Sequence, residues 1–498
     1  MNIVWAAKLA AGLLAVVALA YVVIGPGLKQ VLSPADLRHG WRAVVVTALI
    51  SCLSLTAGVF CMILAAWSLW LSRSMQAEGQ GALYAYALLI VLCPPISLPL
   101  DLPGQGMYLL RLTPPRLLAL TLLLPLTLRL WNAPRTQAIP AWLRLSDAAV
   151  LLFALLSLGR QTDPTVTVVV RTTIETVLDS LLPYYVLSRA TVDSVVRTRM
   201  LSFFLLGASF QAVVGVMEGL THHQFYSPLQ YLYNVSWQTS LSQSRGDWLR
   251  AQAAFVGALP LAVLLLFAGG IWAVLRPTIR SVKYDLVGLV LACGLALTFG
   301  RAAWLSAFAM VISWAALRAL NGRQYLLLAL GLALTLGVAW AQGMGEVVTQ
   351  FFIGAFGSTG NEAFNILYRK ELLDASLALI KQSPWWGVGD VFQQLAYLKQ
   401  GEGIIDFVNT YLVVTLNVGL VGLVLFLVPF GVTLWMGAKQ HQGQAQILGK
   451  EAPVWLALTV AIMAMVFTVS PISIIQPLLI WTVALPLARL QEPKLASL

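Results

Sequence analysis

Long apolar runs recur along almost the whole chain, and they restrict what it can fold into. The chain is 59% hydrophobic and only 10% charged, with a mean hydropathy of +0.82, whereas a soluble domain carries roughly 25% charged residues. Because a bilayer offers no water to backbone polar groups, runs of this length predict transmembrane helices. A transmembrane barrel would instead show short strands of alternating hydrophobicity. We therefore expect an all-α, polytopic integral membrane protein.

The first apolar run reaches Ile24 and is long enough to cross a bilayer. We interpret it as an uncleaved helix, although Ala18-Leu19-Ala20 resembles a cleavage site. The run at 43–71 is long for one crossing and suggests a tilted helix. Together the runs predict roughly 12–14 transmembrane helices. They lie at 1–24, 43–71, 82–100, 107–131, 143–159, 166–188, 200–217, 251–276, 283–300, 302–320, 324–341, 407–436, 453–470 and 472–489.

The charges of the loops predict the orientation of the chain. Most basic loops fall on one side under this count, and the positive-inside rule makes that side cytoplasmic. Both termini then lie inside. The loop 25–42 disagrees, because it would hold Lys29, Arg38 and Arg42 on the outer side. The basic loops that agree are those around Arg189–Arg199, Arg276–Lys283, Arg318–Arg323, Lys439–Lys450 and Arg489–Lys494.

The net charge of +11 follows from these loops and does not indicate nucleic-acid binding. The four cysteines lie in apolar runs, and neither they nor the four histidines show metal-ligand spacing. We therefore expect no metal site and no cofactor.

Two long polar segments divide the chain. N-terminal transmembrane helices over 1–217 precede a first outer, periplasmic loop at 218–250. Further transmembrane helices over 251–341 precede a large, partly helical periplasmic loop at 342–406, and C-terminal transmembrane helices occupy 407–498. Connections of this length in a compact protein are usually functional or disordered, and both loops are rich in aromatic residues and leucine.

Three arginines are predicted on the outer side, where orientation does not favour positive charge. Arg250 ends the first outer loop, Arg301 lies between two apolar runs, and Arg369 lies beside Lys370 in the second outer loop. Snorkelling to the interface is the usual role of an arginine at a helix end. A cluster on this side instead favours an anionic ligand, because the guanidinium binds phosphate oxygens bidentately and stays charged when desolvated. A lipid-linked diphosphate suits such a site.

The segment 362–383 predicts an amphipathic helix on the membrane surface, which Pro384 ends. It could also be a simple lid over the bundle. Trp385 and Trp386 follow, as interfacial anchors or as a platform for a sugar ring. The apolar residues with helical spacing are Ile366, Leu373, Leu377 and Ile380.

Inside a predicted span, Arg171 and Glu175 are one helical turn apart, with Asp179 one turn further. Charges within a span are usually functional or paired, and this spacing favours a salt bridge within the helix.

Three pieces of the stretch 250–430 together resemble the O-antigen ligase and Wzy-type polymerase superfamily. Leu297–Leu305 is similar to the family's R-x3-L segment, with Arg301 as its arginine. Arg369 followed by Ser383–Gly389 resembles a second arginine and a Pro-x-x-Gly-Val-Gly turn. Asn409–Leu412, with Gly419 and Gly422 after it, resembles an H-N-x9-G-x-x-G segment.

The third piece departs from the ligase pattern, because Val408 stands where the family has a histidine before Asn409. The local sequence looks more like exopolysaccharide polymerase-like members. Asp406 is then the nearest candidate base, with Glu402 behind it. A helix N-cap or a first-turn acid explains Asp406 equally well.

The resemblance implies a metal-independent glycosyltransferase of the inner membrane, which joins polyprenyl-diphosphate-linked repeat units at the periplasmic face. Arg301 and Arg369 would hold diphosphates, with help from Arg250. Lys370, Trp385 and Trp386 would also bind substrate, and Asn409 would place the acceptor for Asp406. A flippase and a chain-length regulator would be its partners. The alternatives are a ligase that moves the glycan to lipid A core or protein, a transporter of lipid-linked glycans, and a non-catalytic scaffold.

Overall fold

The computed structural model describes residues 3–75, 79–101, 108–132, 139–160, 165–233, 244–245, 248–318, 361–389, 391–399, 405, 407, 409–443, 451–469 and 474–491. It confirms the all-α, polytopic architecture. Among these residues, six helices are long and apolar enough to cross a membrane, and four shorter apolar helices accompany them. The predicted span 324–341 lies outside the described residues.

The helices follow one another with short connections. They are α1 (Ile3–Leu28), α2 (Pro34–Leu53), α3 (Ala57–Ser74), α4 (Gly81–Leu92), α5 (Pro114–Leu118), α6 (Leu124–Asn132), α7 (Ala141–Gly159), α8 (Val166–Thr176), α9 (Leu182–Ala190), α10 (Ser194–Thr221), α11 (Leu229–Tyr233), α12 (Ala258–Leu275), α13 (Val282–Leu297), α14 (Arg301–Arg318), α15 (Asn361–Gln382), α16 (Val391–Gln394), α17 (Thr410–Gly443), α18 (Ala452–Val466) and α19 (Ile475–Leu490). Single π-helical turns at Ala119–Leu123 and Val177–Leu181 join α5 to α6 and α8 to α9.

The apolar run at 43–71 is two helices, so the predicted single tilted crossing is wrong. Helix α2 ends at Leu53, and α3 begins at Ala57. Leu55 between them has a φ of 61°, in the left-handed region that a regular helix cannot contain. Thr56 then caps α3 by accepting a hydrogen bond from the Val59 amide. Because every residue of the connection is uncharged, hydropathy alone does not reveal the break.

Contacts at the helix ends show the direction of α1 and α2. Asp36, in the first turn of α2, forms an ion pair with Arg199 in α10. Gly27 near the end of α1 packs against the backbone of Lys283 in α13, so closely that a Cβ would overlap its carbonyl oxygen. The loop between α1 and α2 therefore lies at the end of the bundle that carries Arg199 and Lys283, which we call the basic end.

This placement removes the disagreement over Lys29, Arg38 and Arg42, because they now share the basic end with the other basic loops. It also reverses α1, which begins at the opposite end of the bundle. The end of α19 stays at the basic end, where Gln491 donates to the Ser188 carbonyl oxygen at 2.8 Å. The start of α1 and the end of α19 therefore lie at opposite ends of the bundle, which differs from the predicted placement of both termini on one face.

A hairpin replaces the junction of two predicted spans. Strand β1 (Leu98–Asp101) pairs antiparallel with β2 (Tyr108–Leu112). The preceding helix α4 ends at Leu92, just before two consecutive prolines that cannot donate backbone hydrogen bonds. A further short hairpin joins Ser244–Arg245 to Trp248–Leu249. The predictions of continuous helix over 82–100 and 107–131 are wrong at these ends.

The predicted pair of Arg171 and Glu175 within one helix is also wrong. Glu175 and Asp179 both form ion pairs with Arg116 of α5, at 2.6 and 2.8 Å. The two carboxylates are one helical turn apart, and both contact the planar guanidinium of Arg116. Arg171 is one turn from Glu175 but two turns from Asp179, so it is not placed to bind both carboxylates in this way. Arg171 instead stacks on the ring of Tyr108.

Helix α10 is central to the bundle. In the most apolar 18-residue stretch of α10, 89% is buried. The corresponding stretch of α7 is only 22% buried, so α7 faces outward. Aromatic side chains fill the core beside it: the indole of Trp481 is fully buried and lies 5.0 Å from the ring of Phe204 and 6.1 Å from that of Tyr86, between ring centroids. Helix α10 runs through this core from the basic end to the opposite end of the bundle.

The opposite directions of α1 and α10 in the bundle predict a specific labelling pattern in spheroplasts. A membrane-impermeant maleimide should label His223→Cys, in the exposed turn after α10, and should leave Gln30→Cys, in the exposed loop after α1, unlabelled until lysis. Both substitutions are made in a Cys293→Ser background, because Cys293 is exposed whereas Cys52, Cys61 and Cys93 are buried, and that background alone is the control. Labelling of Gln30→Cys before lysis would contradict this arrangement.

Candidate active site

Two arginines meet at the end of the bundle opposite the basic end, which we call the site end. Arg301 is the first residue of α14, and the Nε of Arg250 donates to the carbonyl oxygen of Thr298 at 3.0 Å, just before that helix. Burial lowers the pKa of the Arg250 guanidinium, and the positive charge of Arg301 lowers it further. The structure therefore brings these two predicted site residues together.

The local backbone explains why the two arginines converge. Residues 250–257 are irregular and follow the short strand Trp248–Leu249, and the Ala251 amide donates to the Leu297 carbonyl oxygen at 3.0 Å. Phe299 has a φ of 49°, which turns the chain sharply between α13 and α14. The start of α14 also carries partial positive charge from its unpaired backbone amides. Two guanidinium groups and a helix start thus concentrate positive potential in one place.

Glu218 is a structural residue of this region that the sequence analysis missed. It belongs to α10, and its carboxylate is fully buried. One oxygen accepts from the Phe225 amide at 3.0 Å, and the other accepts from the amides of Gln252 and Ala253 at 2.9 and 2.8 Å. These bonds fasten the segment that carries Arg250 to the central helix. An acidic residue at the end of an otherwise apolar span was the signal for it.

Asn409 lies at the same end and caps α17. Its side-chain oxygen accepts from the Leu412 amide at 3.1 Å. Next to it, Thr410 donates to the Val469 carbonyl oxygen, and the hydroxyl of Tyr411 donates to Met463 at 2.7 Å. The start of α17 is therefore fixed to the end of α18.

Helix α14 contacts the same end of α18, because the Ser306 hydroxyl lies 3.6 Å from the sulfur of Met465. Arg301 thus begins α14 and Asn409 caps α17, and both helices contact the end of α18. Of the other residues around Asn409 in the proposed chemistry, Asp406, Glu402 and Val408 lie outside the described residues.

The turn at 384–389 is bound to a break in α17. The Val388 amide donates to the Leu416 carbonyl oxygen at 2.7 Å, and the Leu420 amide donates to Pro384 at 2.9 Å. Gly387 and Gly419 have φ values of 73° and 71°. The backbones pass so closely that a Cβ on Gly387 would lie 2.5 Å from the Leu416 oxygen, and one on Gly419 would overlap the Trp385 oxygen. Only glycine fits at these two motif positions.

Arg160 was not predicted as a site residue, yet it joins this turn to α7. It follows the last residue of α7, and its Nη2 donates to the Gly387 carbonyl oxygen at 2.5 Å. The end of α7 therefore lies at the site end as well. Only the folded structure shows this contact, because Arg160 and Gly387 are more than two hundred positions apart in the sequence.

Helix α15 confirms the predicted helix and ends at Gln382, before Pro384. Tyr368, Leu372 and Ser376 form its buried face, and Tyr368 and Leu372 pack against residues that include Ile405, Phe407 and Leu416. Leu373 and Leu377 are each 45% exposed, on the face that the membrane-surface prediction assigns to lipid.

Arg369 and Lys370 are exposed on α15, and Trp385 and Trp386 are exposed in the turn that follows it. The structure thus places Arg369 on a different element from the Arg250–Arg301 pair. Helix α15 packs against the start of α17, the helix that Asn409 caps.

Gly419→Ala should destabilise the protein by about 1–3 kcal/mol, because alanine is strained at this φ and its Cβ would overlap Trp385. Gly431→Ala is a matched control in the same helix, since a Cβ there meets nothing within 4 Å, and it should be neutral or stabilising by up to about 1 kcal/mol. Thermal unfolding of the solubilised protein measures both. Equal melting temperatures for the two variants would disprove the close packing at Gly419.

Glu218→Gln should displace the Arg250 segment. Both carboxylate oxygens of Glu218 accept from backbone amides, whereas glutamine has one acceptor oxygen and an NH2 group that would face a backbone N–H. Each buried amide left unpaired costs about 1–3 kcal/mol. We expect a lower melting temperature and faster proteolysis within 222–257. Glu371→Gln, which changes an exposed carboxylate on α15, should match the parent. Unaltered proteolysis of Glu218→Gln would contradict the fastening role.

A family of known proteins resembles part of this chain. Residues 286–427 match the family model described as O-Antigen ligase. The matched segment includes Arg301, Arg369, Asn409 and the turn at 384–389, whereas Arg250 precedes it. No curated protein matches the chain.

The family match supports an enzyme of the O-antigen ligase and polymerase type, embedded in a bilayer and acting on lipid-linked glycans. It confirms, over residues 286–427, the resemblance to the O-antigen ligase and Wzy-type superfamily on which the motif analysis rested.

Proposed function

We propose that the chain is a glycosyltransferase that polymerises polyprenyl-diphosphate-linked repeat units at the periplasmic face of the bacterial inner membrane. The product would be an exopolysaccharide or O-antigen. The observation that carries this proposal is the pair of Arg250 and Arg301 at the start of α14, at the end of the bundle opposite the basic loops. A helix start with two guanidinium groups suits a diphosphate, which is anionic and accepts several hydrogen bonds.

The reaction needs this positive potential at one step. A hydroxyl oxygen of the acceptor glycan attacks the anomeric carbon of the donor, and the bond from that carbon to the diphosphate oxygen breaks. The diphosphate leaves with the bonding electrons, and its added negative charge would be stabilised by Arg301 and Arg250 and, in this scheme, by Arg369 and Lys370 of α15. The proton of the attacking hydroxyl passes to a base, for which Asp406 is our candidate, and no metal is required.

The remaining predicted residues have supporting roles in this scheme. Asn409 would help place the acceptor, although its side-chain oxygen also caps α17. Trp385 and Trp386 are exposed beside the bound turn, where an indole can lie at the membrane interface or stack on a sugar ring. The apolar helices would accommodate the polyprenyl tail. A flippase that delivers the repeat unit and a chain-length regulator would complete the pathway.

A ligase that transfers the glycan to lipid A core or protein is the second candidate. The matching family is described as O-Antigen ligase, which favours this candidate. Val408, in place of the histidine in the resembling ligase motif, argues against that mechanism. A transporter of lipid-linked glycans is less well supported, because charged residues in the described spans include ion-paired ones, such as Asp147 with Arg189 and Arg199 with Asp36.

Removal of the arginines tests the proposal. Arg301→Ala and Arg369→Ala should each reduce polymer output by roughly a hundredfold at normal protein levels, because each loses an oxyanion-stabilising group. Arg144→Ala, which removes an exposed arginine near the other end of α7, is the control and should leave output unchanged. Normal output from both Arg301→Ala and Arg369→Ala would overturn the proposed function.

A further inference from the structure

A second pair of arginines surrounds one tyrosine ring on the hairpin β1–β2. The guanidinium carbon of Arg171, on α8, lies 4.7 Å from the centre of the Tyr108 ring, and that of Arg111, on β2, lies 5.3 Å from it. Arg111 is exposed and Arg171 is half-buried. Two like charges are thus gathered on a single aromatic ring, where they repel each other.

The acidic residues nearby do not neutralise this pair. Glu175 and Asp179 are occupied by Arg116, which meets both carboxylates with its guanidinium nitrogens. Asp101 lies opposite Tyr108 in the hairpin. Within the part of the chain that the structure describes, neither Arg111 nor Arg171 has a carboxylate oxygen within 4 Å.

The scaffold around the ring is rigid. Arg116, held by its two carboxylates, also donates from Nη1 to the carbonyl oxygen of Arg111 at 2.9 Å. It therefore connects the strand that carries Arg111 to the helix that carries Arg171. The two guanidinium groups are consequently pre-positioned, which reduces the entropy that an anion must overcome to order them.

The pair lies at the site end of the bundle. The last turn of α7 is at that end, because Arg160 binds Gly387 there. Helix α8 begins only a few residues later, at Val166, and Arg171 is in its second turn. The Tyr108 cluster and the Arg250–Arg301 pair thus share one end of the bundle but belong to different elements.

We propose that Arg111 and Arg171 bind the diphosphate of a second polyprenyl-linked glycan, the acceptor. This inference rests on the proposed polymerase function, in which both substrates are lipid-linked and two diphosphates must be held together. The attacking hydroxyl belongs to the sugar farthest from the acceptor's own diphosphate, so that diphosphate must be bound away from the reacting carbon. A separate pair of bidentate guanidinium groups, on another element at the same end, meets this requirement.

Equilibrium binding of a radiolabelled polyprenyl diphosphate to the full chain, in nanodiscs of phosphatidylcholine, tests the inference. The parent should bind two molecules per chain. The double variant Arg111→Gln/Arg171→Gln should bind one, and Arg250→Gln/Arg301→Gln should also bind one. Arg144→Gln should bind two. Each variant must elute and melt like the parent, so that a loss of binding is not a loss of folding.

Other outcomes separate this inference from the proposed function. One molecule on the parent, absent only from Arg250→Gln/Arg301→Gln, would overturn the second site and leave the proposed function in place. Unchanged binding by Arg250→Gln/Arg301→Gln would overturn the proposed donor site instead. An absence of binding to the parent would contradict both. If phosphatidylglycerol in the disc displaces the second molecule, the Tyr108 cluster is a general site for lipid phosphates, and the acceptor assignment is wrong.

Kinetics with a saturating lipid-linked polymer as donor give an independent readout. Arg111→Gln/Arg171→Gln should raise the KM for the acceptor repeat unit at least about tenfold, because it loses two charge-assisted contacts, while kcat stays within about twofold. Arg171→Lys should show a smaller rise, since it keeps the charge and loses the fork. An unchanged KM in the double variant would overturn the proposal.

Discussion

Backbone polar groups at membrane depth must find partners within the protein, and the site end of this bundle depends on how that requirement is met. Regular helix ends at Thr221, Leu297 and Val466, and the connecting segments are irregular. One buried carboxylate, Glu218, accepts three amides of these segments. The bound turn at 384–389 exchanges backbone hydrogen bonds with the broken part of α17. Irregular backbone is thereby tolerated beside the bilayer, and it is the irregular backbone that carries or adjoins the arginines.

This arrangement connects packing to the proposed chemistry. The core around Trp481 and α10 is closely packed and fixes the position of Glu218. Glu218 in turn fixes the segment of Arg250, and the turn at Phe299 brings Arg301 beside it. Two guanidinium groups at a helix start offer an anion several charge-assisted hydrogen bonds, and this favours an anion as the ligand. The same reasoning applies to Arg111 and Arg171 on the Tyr108 ring.

The sequence predicted the features that depend on local pattern. Apolar length gave the helical class, the proline at 384 gave the end of α15, and motif spacing gave the family. The sequence did not predict the features that depend on contacts between distant parts of the chain. The apolar connection at Leu55 hides a break, the partner of Glu175 lies on α5, and Arg160 meets Gly387 across more than two hundred residues. Glu218 was placed at the start of a loop, because hydropathy does not distinguish the last turn of a helix from the residues beyond it.

The central claim is that this chain joins lipid-linked repeat units at the Arg250–Arg301 pair. The most direct measurement supplies the purified protein, in lipid, with a polyprenyl-diphosphate repeat unit alone and resolves the glycans by size. We expect a ladder of lipid-linked oligomers with release of free polyprenyl diphosphate, and no ladder from Arg301→Ala. An unchanged monomer with the parent protein, or an undiminished ladder with Arg301→Ala, would contradict it.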